Sequence, residues 1–85
     1  MQVRYTKHPV IRGTRADAES ADEILLIKNV SLLRATYQIR LLAFKAVQTR
    51  KTLVITVPKR CEIHPSLRDL MSQVPEKIRL RRRGD

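Results

Sequence analysis

Twenty consecutive residues, Ser31 to Arg50 (SLLRATYQIRLLAFKAVQTR), contain neither glycine nor proline and lie between two short apolar runs, Ile24-Leu25-Leu26-Ile27 and Leu53-Val54-Ile55-Thr56-Val57. Rich in Leu, Ala, Arg and Gln, with apolar residues recurring at helical spacing, the stretch predicts a long helix over about 31–50. Arg50 and Lys51 at its end suit the negative pole of a helix dipole. The run Thr52 to Val57 is β-branched and closed by Pro58, which favours a central strand. Glu23 to Lys28 is a continuous apolar run bounded by charges, as expected of a strand buried on both faces. Ser20-Ala21-Asp22-Glu23 also has capping-box spacing, which would make 23–28 part of a helix instead; the pattern leaves both open and favours the strand.

The second half repeats the alternation. Pro65 to Gln73 places Leu67, Leu70, Met71 and Val74 at i, i+3, i+4 and i+7, a short helix over about 65–73 that begins at a proline and is stopped by Pro75. In Lys77-Ile78-Arg79-Leu80-Arg81-Arg82-Arg83, Ile78 and Leu80 fall on one side and Lys77, Arg79 and Arg81 on the other, the pattern of an edge strand whose charges discourage stray pairing, while Arg82 to Asp85 read as a tail. The expectation is a small α/β domain of βαβαβ order, its first two strands parallel and joined by a right-handed crossover. Residues 1–20 hold few large apolar side chains after Ile11 and read as a largely flexible N-terminal segment, in which Gln2 to Tyr5 alternates weakly enough to add an edge strand. Residues 21–85 read as the single domain.

A chain of 85 residues buries only roughly 60 to 65 % of the surface its unfolded form exposes, so self-association is a natural source of extra stability. The long helix offers a means. On a wheel, Leu32, Ala35, Ile39, Leu42, Ala43, Ala46 and Val47 make one broad apolar face that covers a sheet. Val30, Leu33, Tyr37, Leu41 and Phe44 make a second stripe, which one sheet cannot also bury. Either the N-terminal segment or the short helix packs on it, or it is an interface with a second copy or another protein.

Charge points elsewhere. Lys and Arg number 18 against 8 Asp and Glu, a net charge of +10, and four of the acids, Asp17, Glu19, Asp22 and Glu23, sit in one short segment. From Ile24 to Cys61 there is no acid at all, only Lys28, Arg34, Arg40, Lys45, Arg50, Lys51, Lys59 and Arg60. Two readings fit this block: the acidic segment folds back to neutralise it, or it forms a basic surface for an anionic partner. For the second, the candidate phosphate neutralisers are Arg34, Arg40, Lys45, Lys59, Arg60, Arg79, Arg81, Arg82 and Arg83. Aromatic residues are few, and no helix-turn-helix, zinc-finger or RNP pattern occurs, so contacts to backbone or duplex shape are expected, with DNA and RNA both open.

Catalytic signals are sparse. Cys61 and His64 have the spacing of two metal ligands or of a thiol with its base, but the chain offers only His8 and carboxylates to complete a metal site and no third group to orient the imidazole. Two glycines and no Walker or dinucleotide motif exclude a phosphate-cradling loop. The single cysteine rules out an intrachain disulfide and fits a reducing, cytoplasmic setting; no apolar run approaches membrane-span length. The sequence therefore reads as a non-catalytic binding module, without cofactor or metal, whose first partner is nucleic acid. The alternatives are an adaptor that binds a protein or itself through the apolar stripe and, third, a small enzyme using Cys61 and His64.

Overall fold

The structure, a computed structural model, describes residues 15–83; the Gln2 to Tyr5 segment considered above and Gly84-Asp85 lie outside the described residues. The described chain opens as a hairpin of β1 (Ala18–Glu19) against β2 (Glu23–Ile27), which are antiparallel. The residues with capping-box spacing close this turn rather than starting a helix. The Ser20 amide donates to the Glu23 carbonyl at 2.8 Å, and the Glu23 amide donates to the Ser20 hydroxyl at 3.1 Å. The Asp17 carboxylate then accepts from the Ile27 amide at 2.6 Å, which satisfies part of the outer edge of β2.

Next come β3 (Leu32–Leu33), α1 (Tyr37–Thr49), β4 (Thr52–Val57), β5 (Glu62–Ile63), α2 (Pro65–Gln73) and β6 (Ile78–Arg82). The main sheet has the order β1-β2-β4-β6, with β2, β4 and β6 mutually parallel, so the βαβαβ domain is present. Both helices join neighbouring strands and pack on the same face. Ile24 and Leu26 of β2, Leu53, Ile55 and Val57 of β4 and Ile78 of β6 share one core cluster with Ile39, Leu42, Ala43 and Ala46 of α1 and Leu67 and Leu70 of α2. The strand residues in that cluster are alternate ones, as a pleated sheet with one covered face requires. Accordingly β2 is not buried on both faces as its apolar run suggested. Ile24 and Leu26 are inside, whereas Ile27, on the opposite face, is 57 % exposed.

The long helix begins six residues later than its composition suggests. Thr36, in extended conformation, caps it by accepting from the Ile39 amide at 3.3 Å. Upstream, Leu32–Leu33 pairs in parallel with Glu62–Ile63, zipping the two strand-to-helix loops together above the carboxyl ends of the main strands. Leu33 is thereby buried, at 3 % exposure, while Val30 lies in the loop, so neither belongs to a helix stripe. The helix ends on Arg50 in the left-handed region, φ 59, its amide bonded to the carbonyls of Ala46 and Val47. The short helix matches its expected 65–73 span. His64 Nδ1 caps it by accepting from the Ser66 amide at 3.1 Å, and the Ser66 hydroxyl accepts from the Ala35 amide at 3.0 Å, tying the second helix start to the first.

Removing the Thr36 cap should cost about 1 kcal/mol, because one of the free amides of the first turn loses its acceptor. Thr36→Ala is expected to lower the denaturant midpoint with the slope unchanged.

Candidate functional site

On the face of the sheet away from the helices, pleat alternation sets out three columns. From β2 come Glu23, Leu25 and Ile27, from β4 Thr52, Val54 and Thr56, and from β6 and its flanks Lys77, Arg79, Arg81 and Arg83. Among the described residues no helix covers this face. Val54 is fully buried yet stands apart from the core cluster. Arg79, its neighbour in register on β6, sends its guanidinium across β4 to within 3.7 Å of the Glu23 carboxylate. Arg83 makes a parallel crossing at the carboxyl end, donating to Asn29 Oδ1 at 3.1 Å, while its amide continues the sheet by bonding the Val57 carbonyl. Arg79, Arg81 and Arg83 are all exposed, and their backbones follow one another at about 6.6 Å, twice a strand rise of about 3.3 Å.

The other expected cations fall into two further groups. At the carboxyl edge of the parallel sheet, where the amino ends of both helices also lie, Lys59 and Arg60 are exposed in the loop after β4. Arg82 points to the covered side and donates to the carbonyls of Cys61 at 2.6 Å and Lys59 at 3.2 Å, which makes it a brace for that loop as well as a charge. Lys28 follows β2 into the same edge, where only the strand register places it beside the others, whereas Lys77 joins Arg79 and Arg81 by the alternation of its strand. Arg34, Arg40 and Lys45 lie apart, at the start and on the outer side of α1. Arg40 Nε donates to the Ala35 carbonyl at 3.1 Å.

The acidic segment does fold back, onto a limited target. Glu19 takes Lys45 at 2.8 Å and Lys51 at 2.6 Å, Glu23 stands near Arg79, and Asp17 is occupied by a backbone amide. The hydrogen bond from Lys45, followed by that from Lys51, holds the Glu19 carboxyl down at about 2, from an ordinary value of 4.5. A depressed folded-state value means the stabilisation is complete above about 4.5 and is lost as the pH falls towards about 2. Glu19→Gln should therefore melt below the wild-type protein at neutral pH, with the difference closing through that window in a thermal melt series.

The apolar stripe survives in shortened form. Tyr37, Leu41, Phe44 and Val47 are exposed on the outer side of α1, Tyr37 and Phe44 at 61 % and 60 %. Leu41 also borders a groove of about 380 Å³, whose lining includes Arg15, Ala16, Ala18, Glu19, Leu42 and Lys45. Val47, assigned to the sheet-facing side from the wheel, is thus on the wet side.

Cys61 and His64 each have a local backbone partner. The thiol is buried and donates to the Glu62 carbonyl at 3.4 Å, while the imidazole Nδ1 accepts from the Ser66 amide. Among the described residues no group of His, Cys, Asp and Glu side chains is arranged to hold a metal ion, and no helix is long and apolar enough to cross a membrane. No protein-family model, curated protein or solved structure shows significant similarity to the chain.

Proposed function

We propose that the chain is a non-catalytic module that binds nucleic acid through its phosphates, in a cytoplasmic setting. One observation carries the reading: Lys77, Arg79, Arg81 and Arg83 stand in a row on a sheet face that no helix of the described residues covers, answered in those strand columns by the carboxylate of Glu23. Phosphate binding by a row of fixed cations releases counterions, and affinity then falls on a log–log scale with salt by about 0.7 to 0.9 per phosphate. Four contacts predict a slope of about −3 in a titration of labelled oligonucleotide. Absence of binding at low salt would remove the proposal.

A second reading has its own support in the exposed Tyr37, Leu41, Phe44 and Val47 of α1, a stripe of the sort that marks a protein interface. There the partner is another protein or a second copy. Sedimentation should show concentration-dependent association that Leu41→Arg and Phe44→Arg abolish, with little response to salt. A monomer at all concentrations would exclude self-association.

A further inference from the structure

Resting on the nucleic-acid reading, we infer that the ligand is single-stranded RNA lying along β6, with its phosphates on the Arg79–Arg81–Arg83 row and its bases turned inward over Ile27. Three features lead there. The backbone repeat of these arginines, about 6.6 Å for two strand rises, is close to the separation of successive phosphates on an extended polynucleotide strand. The basic column is single, and the β4 and β2 columns beside it carry no cation; a duplex would bring a second phosphate row over those columns, where Leu25, Val54 and Ile27 offer it nothing and Glu23 repels it. A single strand places bases there instead. Ile27 lies one row across from Arg81 through Thr56, so an exposed aliphatic surface and a guanidinium plane stand side by side, and both accept the flat face of a base.

The choice of ribose comes from the central column. Thr52 and Thr56 are half-buried on this face, and their hydroxyls make no side-chain hydrogen bond among the described residues. They lie between the phosphate row and the base platform, where the sugar would sit. A hydroxyl complements the 2′-OH, which both donates and accepts and is present only in RNA. Glu23 opposes binding, since it is an anion on the face and stands within 3.7 Å of the Arg79 guanidinium.

The experiment is fluorescence anisotropy with labelled oligouridylate of about 12 nucleotides, within the roughly 4 to 16 nucleotides that single-strand-binding sheets occupy. Oligodeoxythymidylate and a duplex of the same length serve as the other arms. Oligouridylate should bind tightest. The triple variant Arg79→Gln, Arg81→Gln, Arg83→Gln should lose on the order of a hundredfold at about 0.1 M salt, with the salt slope shallower by about 2, as expected for three lost single-strand contacts. Ile27→Ser, at an exposed position, should weaken oligouridylate while leaving the protein folded. Glu23→Gln should bind more tightly than wild type, a gain that unfolding cannot produce. Arg68→Gln, on the exposed side of α2, should change nothing. Tighter duplex binding, equal affinity for the two single strands, or a triple variant that binds like wild type while circular dichroism shows it folded, would overturn the inference alone. Failure of every probe at low salt would overturn the nucleic-acid reading with it.

Discussion

A chain ending at Glu76 is expected not to fold. Its circular dichroism should be that of a coil, and heating should produce no cooperative transition. β6 pairs with the central strand β4 along its length, from Leu53–Ile78 to Val57–Arg82, and Ile78 is buried in the shared core. Deleting it unpairs one side of β4 and opens Leu53, Ile55 and Val57 to water. A domain of this size has a total stability of about 4 to 13 kcal/mol. Burying Ile78 and Leu80 contributes about 1.5 to 3 kcal/mol each, an upper range for the half-buried Leu80. Each ladder hydrogen bond adds about 1 kcal/mol. The loss thus consumes most or all of the stability. A folded, cooperatively melting truncation would mean that the C-terminal stretch is a tail after all.

Ile55→Ala should be the most damaging single change. Ile55 is fully buried in the central strand, between Leu26 and Leu80 in register, and a cavity there has a strand on each side and helices above. Such truncations cost about 2 to 5 kcal/mol. For a chain this short that is a drop in melting temperature of at least about 10 °C. Phe44→Ala, a larger truncation at an exposed site, should stay within about 0.5 kcal/mol in the monomer. The pair separates core burial from hydrophobicity as such. Equal losses at both positions would show that the α1 stripe is covered.

The architecture could be read from residues because alternation, length and proline punctuation agreed over β4, α2 and β6. Less visible was the start of α1. Thr36 is an ordinary helix-interior residue until one knows that Leu32–Leu33 pairs with Glu62–Ile63, a contact between segments thirty residues apart. The same pairing removed Leu33 and Val30 from the proposed stripe, while Tyr37, Leu41 and Phe44 stayed exposed because they lie after the cap. For the basic surface, composition supplied the cations and strand alternation supplied Arg79 and Arg81. It could not tell Arg82, spent on two carbonyls, from Arg83, nor bring in Lys28, because side-chain direction at strand ends depends on register.

Parallel strands are ordinarily clothed on both faces, as crossover helices distribute themselves above and below the sheet. Here consecutive strands are also spatial neighbours, so both helices fall on one side and the domain is two layers of a three-layer plan. If the proposed ligand settles on the side that no helix of the described residues covers, it becomes the missing layer, and its attachment is then coupled to folding. At a ligand concentration about a hundred times its dissociation constant, that coupling adds about 2.7 kcal/mol to a small total stability. Thermal denaturation is consequently an assay for the partner, whichever macromolecule it proves to be.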